Sequence, residues 1–155
     1  MAKQDMESVK QLLDHHIEAL NTKDMEGVLA NERADAELVV PGGVTLRGHE
    51  QIEHYTQVLW NAFPDGVFSI ADRVLGDDAA ATELVFTGTH SGPLLRPNGE
   101  IPATGRHVTI QSVSVFRFND GLIASEHAYV DQLGFMTQLG LMPSPPVATA
   151  SSESE

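Results

Sequence analysis

Three polar side chains near the end of the chain are spaced for chemistry. His127, Tyr129 and Asp131 lie two residues apart, and in an extended segment residues two apart share a face. With Ile123 and Ser125 they would form one wall, leaving Leu122, Ala124, Glu126, Ala128 and Val130 on the other. A bulge would flip part of this assignment. A face carrying a histidine, a phenol and a carboxylate suits the wall of a pocket better than a core. Asp131 is the candidate acid–base group. In an apolar cavity its carboxylate would lose hydration and its pKa would rise toward neutrality. It could then take a proton from an activated carbon and return one to an oxygen, typically a ~10²–10⁴-fold effect. The competing reading is that Asp131 caps a helix beginning at Gln132.

Other residues could complete such a site. His107 opens a long extended segment and could hydrogen-bond a carbonyl or orient Asp131, or simply stand exposed at a strand end. His127 is a pocket candidate through the face it shares with Tyr129, and His107, His127 or Tyr129 would donate hydrogen bonds to a developing enolate oxygen. His90 closes the run Thr87-Gly88-Thr89-His90 at the mouth of a proline-laden loop. It is expected to hold that loop by backbone hydrogen bonds, with a pocket role as the alternative. Tyr55, Trp60, Phe63 and Phe86 could line an apolar cavity or be plain core. Phe135 and Met136 fall at the lip of the cavity or in a subunit contact. His127 and Asp131, joined by His90 or His107, have the right types to ligate a metal, yet nothing has a ligand spacing, and no metal site is assigned. The chain has no cysteine, which excludes disulfides, thiolate metal sites and a cysteine nucleophile. It also has no nucleophile elbow, P-loop or dinucleotide fingerprint.

These residues need elements to position them. Met6, Val9, Leu13, Ile17 and Leu20 recur at three- and four-residue steps and predict an amphipathic helix over 4–21. Asp24 is a candidate N-cap for a short second helix over 25–32. A short strand at 37–40 ends in Pro41-Gly42-Gly43, an extended segment follows at 44–47, and a third helix covers 49–62. Segments 67–75, 79–90, 107–118 and 122–131 are rich in β-branched and aromatic residues and read as strands. Asn119-Asp120-Gly121 joins the last two as a hairpin. The stretch 90–106 is a long loop of the kind that is usually functional or disordered. Residues 134–141 add a helical turn, and 143–155 form a disordered acidic tail after a single domain over 1–142.

Helices first and meandering strands after indicate an α+β fold. Three N-terminal helices would cover one face of a strongly curved, mostly antiparallel sheet, a cone-shaped barrel enclosing a pocket at its open end. The formal charge of −13 repels phosphate backbones and anionic lipids, so neither nucleic acid nor a membrane is an expected partner. No run of about 18 apolar residues exists. The first ten residues lack the apolar segment of a signal peptide, and a cytoplasmic location is expected.

Several motifs carry a family resemblance. They are Ala62-Phe63-Pro64-Asp65, the run from Phe86 to Pro93, the run from Ile101 to Arg106, and the closing Glu126-His127-Ala128-Tyr129-Val130-Asp131-Gln132-Leu133 with Gln138-Leu139-Gly140. In order and spacing they resemble the SnoaL-like polyketide cyclases of the nuclear-transport-factor-2-like superfamily. The resemblance implies a small hydrophobic, polyketide-like carbonyl substrate and an intramolecular aldol or isomerase step with no cofactor. It implies an aspartate on the last strand as general acid–base, matched here by Asp131, and a homodimer. The wider superfamily also contains hydrolases, dehydratases and binding modules without chemistry, because fold does not fix function.

Overall fold

The computed structural model describes residues 4–143. The tail expected over 143–155 therefore lies, Pro143 apart, outside the described residues. Helix α1 (Met6–Asn21) begins in a capping box, with the Asp5 carboxylate accepting from the Ser8 amide and the Ser8 hydroxyl accepting from the Asp5 amide. Helix α2 (Met25–Ala30) is capped by Asp24, which accepts from the Gly27 amide at 3.0 Å. The expected second helix is two residues shorter than its reading. Strand β1 runs Glu32–Val40, five residues earlier than the hydropathy of 37–40 suggested. Its first half, Glu-Arg-Ala-Asp-Ala, has too little apolar content to announce a strand. Pairing with the far end of the chain holds it there.

Strand β2 (Val44–Arg47) leads into helix α3 (Gly48–Ala62). Strands β3 (Val67–Leu75) and β4 (Ala79–Thr89) form a hairpin. The long loop contains a small hairpin of β5 (Leu94–Arg96) and β6 (Gly99–Ile101). Strands β7 (His107–Asn119) and β8 (Leu122–Val130) follow, then helix α4 (Gln132–Gln138). Asp120 and Gly121 take the left-handed conformation at the β7–β8 turn, as a two-residue hairpin loop requires.

The six-stranded sheet has the order β2-β1-β8-β7-β4-β3. Strands β1 and β8 run parallel and the other neighbours antiparallel. The sheet is curved, and α1 and α3 lie over its concave face. One end of that face is filled by Val9, Leu13, Ala80, Phe116, Phe118 and Ile123. The other is filled by Ala62, Phe63, Phe86, Val108, Ile110 and Leu139. Burying each large apolar side chain contributes roughly 1.5–3 kcal/mol. Trp60 packs instead with Ala19 and Val28 where the helices meet.

Candidate functional site

The register of β8 decides which of its side chains face inward. Beside the turn, Phe118 pairs with Ile123 and Asn119 with Leu122. Continued without interruption, that register would bring Ser125, His127 and Tyr129 onto the concave side. It does not continue. Arg117 pairs with Ser125, so Ala124 is an extra residue without a counterpart. This bulge reverses the alternation beyond it. Glu126, Ala128 and Val130 then stand opposite the inward-facing Phe116, Ser114 and Ser112.

The expected trio accordingly lies on the convex side. His127 and Tyr129 are exposed, Tyr129 at 63%, opposite Val115 and Val113. Asp131 is exposed at the head of α4 and accepts a hydrogen bond from the Gly134 amide at 2.9 Å. Of its two readings, the structure has the helix cap. His107 is also exposed, its Nδ1 3.3 Å from the Thr89 hydroxyl. These four do not converge on the concave face.

His90 is fully buried and ties down the long loop. Its amide donates to the Arg106 carbonyl, its carbonyl accepts from the Gly105 amide, and its Nδ1 accepts from the Thr104 amide at 3.2 Å. Burial lowers its pKa, which fits a neutral ring stacked on Phe63 at 5.3 Å. Phe63 and Phe86 meet edge to face at 5.4 Å in the apolar end of the interior. Trp60 belongs to the helix junction, with Lys23 Nζ 5.8 Å from its ring.

Between the two apolar ends the concave face turns polar. The inward row of β7 reads Val108, Ile110, Ser112, Ser114, Phe116, Phe118. Thr82 on β4 stands opposite Ser114. Glu126 on β8 is half-buried, and its Oε2 accepts from the Ser114 hydroxyl at 2.7 Å. Glu32 on β1 and His16 on α1 are both buried, 3.9 Å apart. Tyr55 on α3 is the residue singled out from the sequence whose phenol feels the Glu126 charge.

Low hydration shapes the belt's electrostatics. Burial, and then the nearby Glu126 carboxylate, push Glu32 from 4.5 up to about 8. Burial pushes Glu126 up as well, against the Ser114 hydrogen bond, which pulls it down. Burial lowers His16 to about 4. The His16–Glu32 approach therefore brings together a neutral imidazole and a neutral acid at pH 7, and 3.9 Å is too long for a hydrogen bond. Burial and then Glu126 raise Tyr55 to about 12, while Arg96 opposes them. Tyr55 is thus a neutral phenol able to donate. Glu32 Oε2, His16 Nδ1 and Thr82 Oγ1 are buried without a hydrogen-bond partner among the described residues. Buried polar atoms are ordinarily satisfied, so these three leave hydrogen-bonding capacity unmet in the interior.

A surface hollow of about 320 Å³ lies elsewhere, between α1 and α2, beside Glu18, Thr22, Asp24 and Asn31. Its polar groups already serve the helix ends, Thr22 bonding the Glu18 carbonyl and Asn31 the Gly27 carbonyl. The interior belt, with its unsatisfied atoms and shifted carboxyls, is the stronger candidate. No cluster of metal-ligating side chains occurs among the described residues.

The sequence pattern of the SnoaL-like polyketide cyclase family matches residues 10–139, and the chain belongs to that family. No curated protein matches it significantly. Among solved structures it is similar to TsrD from Streptomyces laurentii, at 28% identity over 89% of this chain and 98% of that one, with a TM-score of 0.77. It is similar to IdmH from Streptomyces antibioticus, described as a candidate polyketide cyclase, at 27% identity over 84% and 97%, with a TM-score of 0.71. A candidate SnoaL-like cyclase from Jannaschia sp. CCS1 shares the fold at 20% identity over 94% and 98%, with a TM-score of 0.78. No helix among the described residues is long and apolar enough to cross a membrane.

Proposed function

We propose that the chain is a cyclase or isomerase acting on a hydrophobic, polyketide-like carbonyl compound by acid–base chemistry, with Glu126 rather than Asp131 as the proton-transfer group. The observation that carries this reading is the position of Glu126. Its carboxyl sits mid-belt between two apolar ends, hydrogen-bonded to Ser114 and raised above the usual carboxylate range by burial. A base with a raised pKa is a better match to a weakly acidic carbon. Family membership and the description of IdmH support the reaction class.

In this mechanism the Glu126 carboxylate removes a proton from the carbon beside a carbonyl. Tyr55 donates a hydrogen bond to the enolate oxygen that forms, where a neutral donor in a poorly hydrated site is effective. The Ser114 hydroxyl orients the carboxylate. The protonated Glu126 then returns its proton, to carbon in an isomerisation or to the new alkoxide in an aldol closure. The expected catalytic roles of His107, His127 and Asp131 are not used, because their side chains face away.

Turnover of a candidate polyketide-like substrate by wild type, Glu126→Gln and Asp131→Asn tests this. Glu126→Gln should lose about 10²–10⁴-fold and Asp131→Asn should stay within a few-fold. The reverse pattern would return the role to Asp131. Tight binding with no turnover in any of the three would make the domain a binding module.

A further inference from the structure

We propose that Arg96 anchors a carboxylate on the substrate, so that the site selects carbonyl compounds that also carry a carboxylic acid. The inference rests on the concave-face site described above and names its substrate class. Arg96 ends β5 in the small hairpin, two residues from Leu94. Leu94 packs on the apolar end containing Ala62 and Phe63, while Leu95 between them is 52% exposed. Strand alternation therefore turns Arg96 to the same inward side as Leu94. Arg96 is half-buried there, at the edge where the hairpin meets α3 and α4.

Its guanidinium is under-used. The hydrogen bond it makes goes to the Met136 thioether at 3.5 Å, and a thioether is a weak acceptor. Arg33, Arg47 and Arg73 each hold a carboxylate, but no ion pair involves Arg96 among the described residues. In a chain with 22 acidic residues against 9 basic ones, a half-buried arginine without a carboxylate is free to take one from a ligand. The planar fork suits two parallel hydrogen bonds to a carboxylate.

The charge of Arg96 also reaches the site. Tyr55 feels the charge of Arg96 and that of Glu126 with opposite sign, which puts the phenol under the influence of both ends. A substrate would lay its carboxylate on Arg96, its carbonyl oxygen at Tyr55 and its acidic C–H at Glu126. The acidic exterior disfavours an anion elsewhere, so the carboxylate end of the substrate is the end held at Arg96.

Calorimetric titration with anthraquinone-2-carboxylate and its neutral carboxamide tests the proposal without requiring turnover. Wild type should bind the acid about 10–100-fold more tightly, the range of a charge-assisted hydrogen-bonded pair. Arg96→Gln should reduce that preference to within about threefold, and Arg96→Lys should keep part of it. Unchanged thermal unfolding of both variants would show that the hairpin is intact. Glu126→Gln should keep the preference, which separates this inference from the assignment of the base. If Glu126→Gln turns over normally while the acid preference still depends on Arg96, the acid–base reading fails and this one stands. Equal binding of acid and amide, binding of neither, or a preference that survives Arg96→Gln overturns the proposal.

Discussion

Replacing Glu32 with glutamine should stabilise the protein above neutral pH and leave its stability near pH 4 almost unchanged. Glu32 is 7% exposed, its Oε2 has no hydrogen-bond partner among the described residues, and the imidazole 3.9 Å from its Oε1 is the neutral His16. Folding raises its pKa from 4.5 to about 8, first by burial and then by Glu126. Between those values the folded chain holds a proton that the unfolded chain has released, so stability falls as pH rises through the window and levels off beyond it. At about 1.4 kcal/mol per unit, the whole window corresponds to on the order of 5 kcal/mol. His16 acts in the opposite sense. Its pKa drops from 6.5 to about 4, so its contribution to stability grows as pH rises between those values. The two effects oppose each other below 6.5, and the clean interval is pH 6.5–8.

Over that interval the Glu32 contribution falls by roughly 2 kcal/mol. Glutamine cannot ionise, so the variant lacks this loss. The Glu126 contribution remains in both proteins, and the Glu32–Glu126 pair titrates jointly in wild type, so the difference between the two curves is the quantity to read. Urea unfolding at intervals from pH 6.5 to 9 measures it, with equal m-values confirming that the unfolding transition is the same. Parallel curves for wild type and Glu32→Gln would refute the reasoning and show that Glu32 is hydrated in the folded protein.

Two further outcomes follow from the same geometry. Ser114→Ala removes the hydrogen bond that holds the Glu126 pKa down, so the rising limb of the rate against pH should move to higher pH, with a stability cost of about 1 kcal/mol. An unmoved limb would count against Glu126 as the base. Asp131→Ala strips the cap from the Gly134 amide and should cost roughly 0.5–2 kcal/mol. That cost should appear as faster amide exchange confined to residues 132–138, with turnover held within a few-fold.

Much of the architecture is legible in local pattern. The spacing of Met6 to Leu20 reports α1, Asp24 reports the cap of α2, and the turn Asn119-Asp120-Gly121 reports the β7–β8 hairpin, because each depends on neighbours within a few positions. The 32–36 part of β1 was not legible, since alternating charges mask a strand whose partner lies some ninety residues away. The β5–β6 hairpin was hidden in what reads as a proline-laden loop. One signal for the site was present. Ser112 and Ser114 interrupt the apolar row Val108, Ile110, Phe116, Phe118, and two serines in a core row mark a polar place in the interior.

The sequence by itself determined an α+β chain with helices before strands, the β7–β8 hairpin and membership of the SnoaL-like family, because periodicity, turn chemistry and motif order are written in consecutive residues. Tertiary structure alone decided which carboxylate faces inward. A hairpin turn sets register only until a bulge intervenes, and the extra residue at Ala124 reverses every side chain beyond it. Asp131 becomes a cap on the outside and Glu126 an interior acid. The raised pKa of Glu32 has the same origin, because it arises from burial beside Glu126 and His16, groups that only the folded sheet and helices bring together.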